Sequence, residues 1–123
     1  MGAALYIVAK DKPEEMDLFV NGKALSKGSA RLSSAAKKLG VRELMGFFSQ
    51  NPKEAAEFVE DASSLPPEQW FDPVDGLATV RALISHFAPS KADTAVVDDL
   101  REFEVVLQRL QAAGLRWHLA VDF

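Results

Sequence analysis

The sequence predicts an α+β fold: a mainly helical single domain, residues 1–123, with about five helices packed on a small sheet that includes the N- and C-terminal strands. Three observations carry that prediction. Residues 115–123 alternate without a fault, with Leu115, Trp117, Leu119, Val121 and Phe123 on one face and Arg116, His118, Ala120 and Asp122 on the other, as a half-buried strand requires. Residues 4–10, ALYIVAK, form a short β-branched and aromatic run closed by Asp11 and Pro13. Between these runs helix-start chemistry recurs as Asn51-Pro52 with Glu54, Asp72-Pro73 with Asp75, and Ser90 with Asp93.

The elements follow in order. After the first strand, Asn21-Gly22 within DLFVNGKAL, residues 17–25, is a hairpin signal that offers a third strand, while the same Asn could cap the next helix. That helix spans roughly 23–39, buries Leu25, Leu32, Ala36 and Leu39, and stops at Gly40. Gly28 and the serines around it make it weak in propensity, so tertiary packing has to hold it. A short apolar helix follows around Leu44, Met45, Phe47 and Phe48, and another over 51–62. The helix of 73–87 buries Leu77, Val80, Leu83, Ile84 and Phe87. The last helix opens at Ser90, runs to about Ala113 and closes at Gly114.

Composition narrows the chemistry. The 123 residues contain no cysteine, which excludes disulfides, thiolate nucleophiles and cysteine-ligated metals. A chain of this length buries roughly two-thirds of its unfolded surface, enough for one core. No apolar run approaches the roughly 20 residues of a membrane span. The start MGAALY lacks a signal peptide's pattern, and Tyr6 stands where myristoylation wants Ser or Thr, so a cytoplasmic location is expected. The two histidines have no paired spacing, so no metal site is expected. Phosphate-loop, GxGxxG and GxSxG patterns are absent, and no cofactor is expected.

The net charge of −4 is the remainder of unequal blocks: −2 over residues 1–22, +6 over 23–42, −7 over 43–75 and −1 over 76–123. At about 100° per residue, Lys23, Lys27, Arg31, Lys37 and Lys38 fall on one side of the helix of 23–39 and its leucines on the other. Lys23, Lys27, Arg31 and Lys38 are therefore the candidate binding surface. Overall acidity, and the absence of aromatics among the cations, argue against nucleic acid. Ala and Ser on the opposite face argue against membrane insertion. The acidic segment that follows could also answer this face within the molecule.

For catalysis, His118 is the leading candidate, on the polar face of the last strand with Arg116 and Asp122. Arg116 lies roughly 7 Å away along the strand and Asp122 roughly 13 Å, so any hydrogen-bonded partner must come from elsewhere. Tyr6, on the first strand, is a candidate cross-strand neighbour. His86 projects away from the buried stripe of its helix, along Asp75, Thr79 and Ala82. Asp99 falls on the buried row of the last helix, where it must lie exposed near the helix start or pair with a cation such as Arg81 or Arg116. Asp72 and Asp75, beside Trp70 and Phe71, are explained by helix capping.

NGKAL, GVRELMGFFS, PPEQWFDPVDGLATVRALISHF and LRWHLAVDF together resemble a family of small bacterial proteins with no established activity. The resemblance implies a shared single-domain fold and transfers no catalytic residue. The reading favoured by these observations is a non-enzymatic protein-interaction module, regulatory or of the toxin-neutralising immunity type. Two alternatives stand beside it: a small enzyme using His118 as acid or base with Arg116 holding an anionic substrate, and nucleic-acid binding through the basic helix. A homodimer could also form through a free sheet edge.

Overall fold

The structure, a computed structural model, describes residues 4–16, 18, 20–49 and 68–122. Strand β1 (Ala4–Ala9) and strand β2 (Trp117–Asp122) pair antiparallel, with Ala4 opposite Asp122 and Ala9 opposite Trp117. The two ends of the chain thus make one sheet, as the alternation predicts. Leu5 and Ile7 share a face with Trp117 and Leu119, and all four are buried. Against that face pack α1 (Lys23–Lys27), α2 (Ser29–Leu39), α3 (Pro73–Phe87) and α4 (Thr94–Ala113), with 3₁₀ turns at Leu44–Phe47 and Lys91–Asp93. The most extensive helix contact joins α3 to α4. Leu77, Val80 and Leu83 of α3 and Leu100, Phe103, Leu107 and Leu110 of α4 are buried in one core, each apolar side chain contributing roughly 1.5–3 kcal/mol.

Several expectations are corrected. The helix predicted over 23–39 is interrupted at Gly28, whose φ of −95° and ψ of 16° leave the helical region, so it forms two helices. The apolar segment after it makes a 3₁₀ turn, and the helix expected over 51–62 lies outside the described residues. Among the described residues there are four α-helices, where about five helices in all were expected. Ser90 makes no side-chain cap; a 3₁₀ turn intervenes and α4 begins only at Thr94. Leu39, placed in the buried stripe, is 40% exposed, because the helix ends there in left-handed Gly40 and leaves the packed layer. Asn21-Gly22 turns no hairpin among the described residues: Asn21 Oδ1 accepts from Lys23 N–H at 3.3 Å and leads into α1.

Two glycines set the spacing of the layers. Gly22 donates no side chain where α1 begins against β1, and its carbonyl accepts Leu5 N–H at 3.1 Å; a Cβ there would fall on the Leu5 backbone. Gly76 on α3 lets the helix lie against the Trp117 indole, where a Cβ would overlap the ring. Trp117 is held on every side. Its indole N–H donates to Asp72 O at 3.3 Å, Phe47 stacks on it at 5.0 Å, and its backbone exchanges two hydrogen bonds with Phe71. Asp72 caps α3 as predicted, accepting Val74 N–H at 2.9 Å beside Pro73. Arg42 closes this corner, its guanidinium 4.9 Å from the Phe47 ring centre and 4.6 Å from that of Phe71 while donating to Gly46 O.

Candidate functional site

The bridge between Phe71 and Trp117 delivers residues 68–70 to the second face of the sheet. In an extended stretch, positions two apart point the same way, so Glu68 and Trp70 both address β2. There they meet His118. Its ring lies 4.5 Å from the Trp70 ring, its Nε2 lies 3.2 Å from Glu68 Oε2, and its Nδ1 lies 3.2 Å from Leu119 O. His118 is only 3% exposed and Ala120 beside it 8%. The face read as polar is therefore buried at both positions, because residues from far along the chain cover it.

The arrangement uses up the imidazole. Each ring nitrogen has an oxygen within hydrogen-bond distance, so a polar group that would otherwise be buried without partners is engaged at both. Glu68 meets the requirement of a carboxylate within hydrogen-bond reach. No ring nitrogen is left over for a substrate, and that weighs against His118 as a general acid or base. Tyr6 stands opposite Ala120 on the same sheet face as His118, 40% exposed, while Arg116 is exposed just before β2; no hydrogen bond joins either to His118. The three candidates share one side of the sheet without forming a constellation.

Asp99 is a carboxylate put to a different use. It is 5% exposed, and its Oδ2 accepts Ala24 N–H at 3.0 Å, capping the start of α1 from a different helix. Burial pushes its carboxyl above the usual carboxylate range, against the backbone donors of Ala24 and Leu25, which pull it down. The expectation of an exposed acid or a cation partner is corrected: Arg81 pairs with Glu104 at 3.0 Å instead, and an orphan helix terminus supplies the donors for Asp99.

The cationic side chains stay outside. Lys23, Lys27, Arg31 and Lys38 are all exposed. Arg31 Nη2 lies 2.7 Å from Oδ1 of Asp93, a buried carboxylate, with the charges in contact but no aligned hydrogen bond to that oxygen. Lys37 pairs with Glu43 at 3.3 Å, and Ser33 donates to the same Glu43 at 2.5 Å; these hydrogen bonds hold the Glu43 carboxyl below its ordinary value. Among the described residues, no carboxylate lies within 4 Å of Lys23, Lys27 or Lys38. His86 is exposed on the last turn of α3, with its ring edge-on to Phe87 at 4.8 Å.

Glu68, Asp93 and Phe87 were not recognised as site-forming in the sequence. For Glu68 and Trp70 a signal existed in their spacing of two within a proline-preceded extended stretch; for Asp93 none did, since its partner is sixty-two positions away. Among the described residues no group of three or more His, Asp or Glu could hold a metal ion, and no helix is long and apolar enough to cross a membrane. Compared with protein-family models, curated proteins and solved structures, the chain matches none.

Proposed function

We propose that this chain is a non-enzymatic protein-interaction module of regulatory or immunity type, which engages its partner through the cationic face of α1 and α2. The kinship with small bacterial proteins read from the sequence is part of the same proposal. One observation carries the reading: Lys23, Lys27 and Lys38 stand exposed with no acid of the described residues against them, in a chain whose net charge is −4. Such a face gains by meeting an acidic surface and steers the encounter. The occupied nitrogens of His118 support the same conclusion by weakening the enzymatic alternative.

The test is capture of partners from native lysate by the wild-type chain and by a Lys23→Glu, Lys27→Glu, Lys38→Glu variant. A partner retained by the wild type, lost by the folded variant and released by moderate salt is the expected result. An identical set captured by both overturns the reading. Should the wild type instead shift nucleic acid with a steep salt dependence, the nucleic-acid alternative replaces it.

A further inference from the structure

The helix face read from the sequence turns out to border a groove. Between α2 and α3 lies an open, shallow groove of about 430 Å³. Arg31, Ser34 and Lys38 line it from α2 and His86 from α3, over an apolar floor of Ala35 and Phe87. Among the described residues no acid lines it. Asp93 Oδ1 lies 2.7 Å from Arg31 Nη2, and the Arg31 guanidinium rests 5.4 Å from the Phe87 ring centre, while His86 meets the same ring edge-on. Phe87 thus sets both groups at the rim of one hollow. Sequence separation hid this, because His86 is forty-eight positions from Lys38.

We propose that this groove binds a short acidic segment of a partner protein, with carboxylates on Arg31, Lys38 and the His86 ring N–H and an apolar side chain on Ala35 and Phe87. The inference deepens the interaction reading and rests on it. Charge complementarity selects an anion, and Arg's planar fork suits a carboxylate. The apolar floor selects an organic ligand over a bare ion. The net charge of −4 opposes a long phosphate chain more than a short carboxylate-bearing segment.

A capped Glu-Glu-Leu-Glu-Glu peptide, titrated into the full chain and followed by backbone and His86 nuclear magnetic resonance shifts, tests the proposal. Shifts centred on Arg31, Ser34, Lys38 and His86 are expected, saturating in the roughly millimolar range of a small isolated site. Lys38→Glu and His86→Ala, neither of which is buried, should each weaken binding, the former about tenfold. A matched Gln-Gln-Leu-Gln-Gln peptide should produce no saturable shifts. If both groove variants bind normally while Lys23→Glu with Lys27→Glu does not, the groove assignment falls and the interaction reading stands. Absence of shifts in the wild type also overturns the groove, leaving the wider reading to the capture experiment. Displacement of the peptide by a short oligothymidylate at lower concentration overturns the carboxylate assignment.

Discussion

The molecule holds two histidines against aromatic rings, and they are put to opposite uses. His118 sits 4.5 Å from Trp70, almost wholly buried, with a carboxylate and a carbonyl on its nitrogens. His86 sits 4.8 Å from Phe87, exposed, sharing a groove with Arg31 and Lys38 and with no acid of the described residues lining it. Ring contact is common to both. What differs is what surrounds the ring: oxygen acceptors consume the first imidazole as a structural bracket between segment 68–70 and β2, whereas cations and solvent leave the second available to a ligand. A histidine beside an aromatic ring is therefore no indicator of function until the sign and accessibility of its other neighbours are known.

The sharpest way to break this contrast is to delete each ring. His118→Ala removes a buried side chain and takes from Glu68 its ring partner, while Leu119 O keeps the Ser49 N–H, so a loss of roughly 2–4 kcal/mol is expected in urea unfolding. His86→Ala should lie within about 0.5 kcal/mol of wild type. Equal effects would refute the division of roles. Asp99→Ala, which strips the cap from α1, should rank next at about 1–2 kcal/mol, visible in the same unfolding midpoints.

Two carboxylates sharpen the comparison through pH. The folded Asp99 carboxyl holds its proton more tightly than its ordinary value of 3.8 allows, so its contribution to stability is fully present below 3.8 and lost as pH rises through the raised folded value. Asp99→Asn should accordingly gain on wild type as pH climbs through the acidic range. Glu43 has the opposite sign. Its carboxyl is held below 4.5, so its contribution is present above that value and fades as pH falls through the lowered one; Glu43→Gln should flatten that slope. Urea midpoints of the three proteins across the acidic range check both directions. Smallest of all, Lys23→Glu and Lys27→Glu should change stability by no more than about 0.5 kcal/mol while altering partner capture, because both side chains stand in solvent.

Much of the fold was legible from local pattern. The alternation at Trp117, Leu119 and Val121 and the run at Leu5 and Ile7 revealed two strands, and Asp72 with Pro73 marked the start of α3 to the residue. Gly40 and Gly114 marked helix ends in the left-handed conformation. The candidate site was legible only in part. Lys23, Lys27, Arg31 and Lys38 are exposed, as the pattern predicts, but they stand on two helices, because a helical wheel assumes an unbroken helix and Gly28 interrupts it. The alternation places His118 on the polar face of its strand, but the period-two rule assigns a face without saying what covers it.

Short-range physics thus settled which stretches are strands and helices, where two of those helices end, and which side chains are apolar. These follow from backbone sterics, capping donors and periodicity over a few residues. The tertiary structure alone decided the chemistry of each polar group: Glu68 fifty positions from His118, Asp99 seventy-five from Ala24, Asp93 sixty-two from Arg31. A charge's role depends on its dielectric surroundings and its nearest counter-charge, and both are supplied by segments brought together only when the core forms.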